Sequence, residues 1–458
     1  MKKTIILLFM CLSLIFVNTV SAFDGLNNVE IHGFISQGYL QSNEYDYLEI
    51  NTDDGSFEFN EMGINFSTTP VDGLRLGAQF FSRDFGEIGN DGLELDWAYG
   101  DYRVNNYLGV RAGKVKIALG LYNEVRDVDA VRTSIMLPNA IYVEQNRDIY
   151  SGIKGVGIYG ELPGGFTYQA TYGVGPVAED SNLLNDLTLV LNNRLQIGYR
   201  DSYLAIYKET VKNIYLSQGA SEAVADQAGT LAASTEPALS EAVAFGSSVS
   251  FEVPTSVEAH NTQNAYLQWT PKFVEGLRLC GTWLYTEIDM RMRVTTPVSA
   301  TSTITVEEQL NIEHLSSTVV SIEYIFGETV LAAEYNIIRI DIGQFQGMDV
   351  PTNKVHGWAL SASHRFAYWF ELGAYYSDWN TNIDDKDGKD FDNYIGNRLR
   401  AERWMRDACI TTRFDLNESW ILKIEGHYMN GLDGVEYQTN PDPDPDWFLF
   451  AGKISYNF

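Results

Sequence analysis

The 458-residue sequence is poor in the residues most chemistry needs. It has three cysteines, six histidines and twelve prolines. His32, His260, His314, His356, His364 and His427 are scattered, and the patterns H-E-x-x-H, C-x-x-C and G-x-S-x-G are missing. No zinc-protease helix, redox pair or nucleophile elbow is spelled out, so the chain does not read as an enzyme. A mean hydropathy of −0.17 with 20% charged residues excludes a bundle of membrane helices, which needs repeated apolar runs of roughly 18 residues or more. Positive charge is also scarce. Thirty-two basic groups face 61 acidic ones, and the net of −29 would be repelled by a phosphate backbone, which argues against nucleic acid as a partner. Aromatic residues are not scarce, at 13%, and that does not fit a disordered acidic chain.

Residues 1–22 read as a secretory signal peptide. Lys2 and Lys3 precede an apolar stretch from Ile5 to Val17, and Val20-Ser21-Ala22 supplies small residues for cleavage before Phe23. Losing Lys2 and Lys3 takes the formal charge from −29 to −31. Cys11 lies in the leader, so only Cys280 and Cys409 follow it, too few for a disulfide framework in a secreted chain of this size. Whether those two pair stays open.

Beyond the leader, period two dominates. Leu74, Leu76, Ala78 and Phe80 alternate with Arg75, Gly77, Gln79 and Phe81; Trp420, Leu422, Ile424 and Tyr428 alternate with Lys423, Glu425 and His427. Successive strand side chains point to opposite faces, so each segment has one oily and one wet face. A soluble sandwich turns the oily face inward, and an outer-membrane barrel turns it outward to lipid. Three features favour the barrel: aromatic residues near segment ends, segments of about ten residues, and links that alternate between short and long. Short links fall at 70–73, 105–106, 163–165, 271–276, 326–328, 365–366 and 415–419. Long ones fall near 43–56, 84–92, 117–150, 174–263, 287–316, 341–355, 380–403 and 430–446. These links join sixteen strands, enough for a barrel that leaves an aqueous channel. The expected fold is thus all-β: a transmembrane, antiparallel up-and-down barrel over residues 23–458.

The last segment carries the most specific signal. Phe448, Phe450, Gly452, Ile454, Tyr456 and Phe458 alternate with Leu449, Ala451, Lys453, Ser455 and Asn457, and the chain ends on Phe458. This resembles the C-terminal assembly signal of Gram-negative outer-membrane proteins, with Tyr456 and Phe458 as its aromatic end. Together with the leader and sixteen alternating segments it resembles the Gram-negative porin superfamily. The resemblance implies a homotrimer in the outer membrane, inserted by the barrel-assembly machinery, that lets small hydrophilic solutes diffuse passively. It also implies that the third long loop folds inward as a constriction. Here that loop is 117–150, and a loop of this length in a compact barrel is unusual unless it has a role.

The constriction candidates are Glu124, Arg126, Asp127, Asp129 and Arg132. One reading makes Glu124, Asp127 and Asp129 the acidic side of an eyelet. The other pairs Glu124 with Arg126 and Asp127 with Arg132 to hold the loop's shape. The opposite wall is expected to be basic, from Arg75, Arg83, Arg111, Lys114 and Lys116, giving a field across the lumen. Wet faces also carry Arg278, Arg413 and Lys423. The large insertion, 174–263, is helix-like over Ala223–Phe245 and Leu- and Tyr-rich before it, and suits a lid or a latch. Outer links hold acidic clusters, among them Asp442, Asp444 and Asp446. Such oxygens suit Ca²⁺ or Mg²⁺ shared with lipopolysaccharide phosphates, but no calcium-loop spacing is present and a solvated acidic surface is the simpler reading. No organic cofactor is expected. The alternative to a porin is a non-conducting receptor or adhesion barrel acting through its large loops.

Overall fold

The computed structural model describes residues 29–48, 50–86, 88–176, 182–252, 256–299, 302–345, 348–350, 352–389, 399–436 and 443–458. The expected signal peptide, residues 1–22, lies outside the described residues. Sixteen long strands follow one another: β1 Val29–Ser42, β2 Phe59–Val71, β3 Leu74–Phe85, β4 Ile88–Asn105, β5 Leu108–Lys116, β6 Gly152–Leu162, β7 Phe166–Val174 and β8 Ser256–Trp269. They continue as β9 Leu277–Ser299, β10 Ser302–Phe326, β11 Thr329–Asp341, β12 Asn353–Ala367, β13 Phe370–Asn380, β14 Trp404–Asp415, β15 Trp420–Gly431 and β16 Asp446–Asn457. Each pairs antiparallel with its sequence neighbour. The sheet closes where Phe34 to Ser42 of β1 pair with Asn457 to Leu449 of β16. Phe458 adds a reciprocal pair of backbone bonds with Gly33, at 3.0 Å each.

The outer face is apolar. Ile31, Ile64, Leu76, Val110, Ile158, Leu267, Val320, Leu360, Ile410, Ile424 and Phe450 are all exposed although large and hydrophobic. Tyr107, Phe273, Phe366, Tyr368, Trp369, Trp420 and Phe458 are exposed by the short turns. Water would not favour such a belt; lipid with an aromatic interface does. Across the same strands the inner face is polar and buried, with Glu61, Gln79, Arg83, Thr282, Glu323, Glu334, Asp407, Lys423, Glu425 and Lys453.

Three expected links differ. The 84–92 link is a tight turn between Phe85 and Ile88, with Gly89, Asn90 and Asp91 at positive φ inside the start of β4. The 365–366 link lies within β12, and the chain turns at 368–369 instead; a run of outward aromatics blurs the alternation there. The 287–316 link is a hairpin of strands. There β9 and β10 run on for 23 and 25 residues, because their polarity inverts rather than stops. Near the turn end, β9 buries Cys280 and Thr282 inward and exposes Trp283. Further along, Ile288, Met290, Met292 and Val294 are buried on that same inward phase, while Arg291 and Arg293 are exposed. In β10 a bulge between Ile312 and Leu315 resets the phase.

What covers that apolar hairpin face is the insertion between β7 and β8. It holds α1 Asn182–Ser217, α2 Glu222–Ala233 and α3 Glu236–Ser247. Ala225 and Gly229 of α2, and Ala238, Ala242 and Gly246 of α3, recur every four residues and are buried, so both short helices lie close along α1. Leu195 of α1 and Val249 beyond α3 then pack with Ile288, Met290, Met292, Val294, Leu310 and Ile312. Leu184, Leu187, Leu189 and Leu191 have side chains outside the described residues.

Candidate functional site

The segment between β5 and β6, residues 117–151, bonds both along its own length and to the wall. Gly120 opens it at φ +56, where a Cβ would stand 2.5 Å from the Tyr142 hydroxyl and 2.7 Å from Glu334 Oε1. Only glycine lets the backbone come this close. Just after it, Leu121 N donates to Glu334 Oε1 at 2.9 Å, and the Tyr142 hydroxyl donates to the same carboxylate at 2.9 Å. Ile117, Leu119, Leu137, Ile141 and Tyr142 pack with Leu284 of β9, Val319 of β10 and Ala359 of β12.

Asp129 ties the segment to two strands of the wall. Its carboxylate lies 3.0 Å from Lys453 Nζ, 3.5 Å from Lys423 Nζ and 3.2 Å from Arg132 Nη2, and it accepts from Ser455 Oγ at 2.5 Å. Burial alone would raise this carboxyl, but Lys453, Lys423 and Arg132 together hold it well below the ordinary range. Asp127 is buried and pairs with Lys116 Nζ at 2.9 Å while accepting from Gln79 at 2.5 Å. Arg126 pairs with Glu144 at 2.5 Å. Arg147 reaches Glu61 of β2 at 2.6 Å, and Glu61 also accepts from Lys453. Glu144 is drawn below its usual range: burial pushes it up, and Arg126, Arg147 and Arg83 outweigh that. Glu124 goes the other way. Burial raises it above the usual range against the pull of Arg111, and Gln169 of β7 donates to it at 3.1 Å.

The five basic wall residues fall into three groups. Arg83 and Lys116 contact the segment, at Glu144 (3.4 Å) and Asp127. Arg111 sits over the Tyr159 ring and pairs with Asp101 at 3.1 Å. Lys114 donates to Leu95 O, and Arg75 is exposed near the short turns. Neither Glu124–Arg126 nor Asp127–Arg132 is among the ion pairs of the described residues; the actual partners are Gln169, Glu144, Lys116 and Asp129.

Two cavities flank the segment. On the β2 and β14–β16 side the space shrinks to about 30 Å³, between Glu61, Arg126, Arg132, Glu144, Arg147, Asp407, His427 and Lys453. On the β9–β14 side lies a cavity of about 400 Å³. The segment contributes Tyr122, Val131, Arg132, Thr133 and Ser134 to it. The wall contributes Arg278, Glu323, Glu334, Arg365, Glu371 and Arg413. Arg278 pairs with Glu323 at 2.9 Å, Arg365 with Glu371 at 2.8 Å and Asp415 at 2.6 Å, and Arg413 with Asp415 at 2.7 Å. Arg413 also donates to Ala130 O at 2.7 Å. Glu323, Glu334 and Glu371 were not singled out from sequence, although Ser321-x-Glu323 and Ala332-x-Glu334 carry the inward phase plainly enough.

Elsewhere, Cys280 and Cys409 are both free and buried, so they do not pair. Of the outer acids, Asp446 accepts from the Tyr428 hydroxyl at 2.6 Å and from Asn430 at 2.8 Å. Asp444 Oδ1 accepts from Asp446 N at 3.0 Å, and Asp442 is outside the described residues. Tyr456 stacks with Phe458 and meets Trp420 at 4.9 Å on the outer face.

No protein-family model matches the sequence, and no curated protein matches it. Solved structures do. In-vitro folded OmpT, an outer membrane protein of Vibrio cholerae, aligns with a TM-score of 0.51 at 10% identity, over 94% of this chain and 97% of that one. OmpF of Salmonella typhi, solved in complex with daunomycin, aligns with a TM-score of 0.51 at 11% identity, over 95% and 99%. An anion-selective porin from Comamonas acidovorans aligns more loosely, at 0.47 and 12% identity, over 94% and 99%. At these identities the likeness is one of fold: a closed sixteen-strand barrel of the outer-membrane kind.

Proposed function

We propose that the protein is an outer-membrane porin, a water-filled channel through which small hydrophilic solutes or ions diffuse passively. The observation that carries this reading is the cavity of about 400 Å³ inside a sixteen-strand barrel, bounded by the 117–151 segment on one side and a charged wall on the other. The segment acts as the constriction. Its bonding partners support that role, because they lie on β2, β3, β7, β8, β11, β14, β15 and β16, all around the barrel. Arg126, Asp127, Asp129 and Arg132 serve mainly as tethers, locked to Arg83, Lys116, Lys423 and Lys453 directly or through Glu144. Glu124 and Arg111 add charge beside them.

Selectivity then belongs to the open side. Arg278, Arg365 and Arg413 face solutes together with Glu323 and Glu371, so both signs line one passage. Near low-dielectric walls such charges act more strongly than in bulk water, and they favour polar solutes over apolar ones. The chain performs no catalysis in this reading. Its partners are outer-membrane lipid and lipopolysaccharide, the barrel-assembly machinery during insertion, and two further copies in a homotrimer. Ca²⁺ or Mg²⁺ bridges the acidic outer loops to lipopolysaccharide. Reconstitution in a planar bilayer tests the proposal: stepwise conductance in threes supports it.

The helical insertion favours a second reading, a receptor or adhesion barrel. It packs on the hairpin face that continues the lumen phase, so it stands over the mouth. A silent bilayer, with folded protein shown by gel mobility, would support that reading instead.

A further inference from the structure

We propose that Cys409, Glu425 and His427 form a binding site for one transition-metal ion of the zinc class on the inner wall of the barrel. Antiparallel pairing builds the site. Cys409 of β14 lies directly opposite His427 of β15, and Glu425 follows two residues away on the same face, opposite Thr411. Directly opposed residues of an antiparallel pair bring their Cβ atoms to about 4.5–5.5 Å, so three donor side chains converge. Cys409 Sγ is 3.9 Å from His427 Nε2, and that nitrogen is 3.3 Å from Glu425 Oε2. All three donor atoms lie within 4.8 Å of one another. A tetrahedral zinc ion, with bonds of about 2.3 Å to sulfur and 2.0–2.1 Å to nitrogen and oxygen, separates its donors by roughly 3.3–3.6 Å. The sulfur–nitrogen and nitrogen–oxygen separations are within a few tenths of an ångström of that.

An independent observation concerns the other ring nitrogen. His427 Nδ1 lies 3.1 Å from both carboxylate oxygens of Asp407, and Asp407 is itself bonded by the Tyr375 hydroxyl at 2.7 Å. A metal-bound imidazole commonly gives its second N–H to a carboxylate, which fixes the ring and makes the free nitrogen a better ligand. The His427 and Glu425 side chains are fully buried, and Cys409 is nearly so. A carboxylate, an imidazole and a thiol facing one another therefore share a space with little water. Three protein ligands leave a fourth position for a water molecule. Thiolate and imidazole select zinc-class ions over Ca²⁺ and Mg²⁺.

The binding step balances without an oxidant. Cys409 loses the proton on Sγ and His427 the proton on Nε2. Lone pairs on Sγ, Nε2 and a Glu425 oxygen then coordinate the ion. Two protons leave as a divalent ion enters, so the net charge of the wall does not change. Tyr375 lines both the 400 Å³ and the 30 Å³ cavities, and His427 lines the smaller one, which marks the side of entry. Glu425 also accepts Ile135 N at 2.6 Å and Met136 N at 3.1 Å, so ion and loop share one carboxylate.

The competing account is an ion-free one, an imidazolium held between Asp407 and Glu425 with Cys409 as filling. Co²⁺ titration of the untagged, refolded full barrel in detergent separates the two. The site predicts one Co²⁺ per chain, a near-ultraviolet thiolate-to-metal charge-transfer band, displacement by Zn²⁺, and a higher melting temperature with either ion. Cys409→Ser should abolish the band, and Asp407→Asn should weaken binding by about 10–100-fold. In Cys280→Ser the band should persist, and since Cys409 is then the sole thiol beyond the leader, that variant assigns the sulfur even if Cys409→Ser fails to fold. A folded wild type without the band, or a band that survives Cys409→Ser, overturns the site.

Discussion

The two sides of the lumen are built from the same residue types and end up opposite in character. On the β2 and β14–β16 side, Asp129, Glu61, Lys423, Lys453 and Arg147 are buried and paired with one another or with the part-buried Arg132, and only about 30 Å³ of space is left. On the β9–β14 side, Arg278, Arg365, Glu323 and Glu371 pair along the wall beside about 400 Å³. The difference lies in where the partners come from. On the first side the loop brings the counter-charge and fills the space as it does so. On the second the wall neutralises itself strand to strand, as Arg278 does with Glu323, and the space stays open. Position relative to a loop, more than residue type, decides whether a lumenal charge is locked into a tether or stays beside open space.

The largest way to break this contrast is to remove the loop. Replacing residues 121–149 with a short Gly-Ser link should open the filled side and raise single-channel conductance several-fold, provided the wall charges there are neutralised in the same variant. Unchanged conductance would mean that the loop is not the constriction. Next in size is Asp129→Asn. It leaves Lys423, Lys453 and Arg132 buried around a neutral amide. Breaking a buried pair of this kind costs about 3–5 kcal/mol. The loop should become susceptible to protease and the channel noisy, and an uncleaved loop would count against the tether.

Much of this architecture was legible. Sixteen strands follow from period-two alternation because lipid on one side and water on the other enforce it for the height of the membrane. The same cause explains the main failure. Beyond the membrane the outward face meets water, so β9 carries Asp289, Arg291 and Arg293 there while Ile288, Met290 and Met292 turn in under the helices. The alternation continued with its meaning inverted and passed for a loop. Within the loop, the acidic residues could be named, but their partners could not. Lys453 and Asp129 are 324 positions apart and meet only because the barrel closes. Arg365 was hidden in an expected turn by the aromatics after it.

A smaller effect is expected on the open side. Arg278→Gln and Arg365→Gln each remove the part-exposed member of a wall pair and leave a buried or nearly buried carboxylate, Glu323 or Glu371, beside the open cavity. Stability should fall less than for Asp129→Asn, which strands three cations. The reversal potential in a salt gradient should shift toward cations, since Glu323 and Glu371 stay. The same pair of measurements on Asp129→Asn should give the converse, a large stability loss with little selectivity change. If both variants altered both readouts alike, the two sides would not be distinct.

The smallest effect concerns pH. The carboxyls of Asp129 and Glu144 are held below their ordinary range, so the stability they contribute is present above that range and is lost only as pH falls through their depressed values. Unperturbed Asp and Glu titrate near 3.9 and 4.3, so lowering the pH from about 7 to about 5 leaves both tethers ionised. Glu124 differs in sign. Its raised carboxyl binds its proton more tightly in the folded loop, so its contribution favours the folded state at low pH and fades as pH rises through that value. Protonation would remove one negative charge beside Arg111 without loosening the segment. Conductance should therefore stay level as pH falls from about 7 to about 5, and selectivity should drift slightly toward anions as Glu124 takes up its proton, at a higher pH than an unperturbed glutamate would. Glu124→Gln should remove that drift, and a conductance that rises over this range would show that the tethers, not Glu124, are titrating.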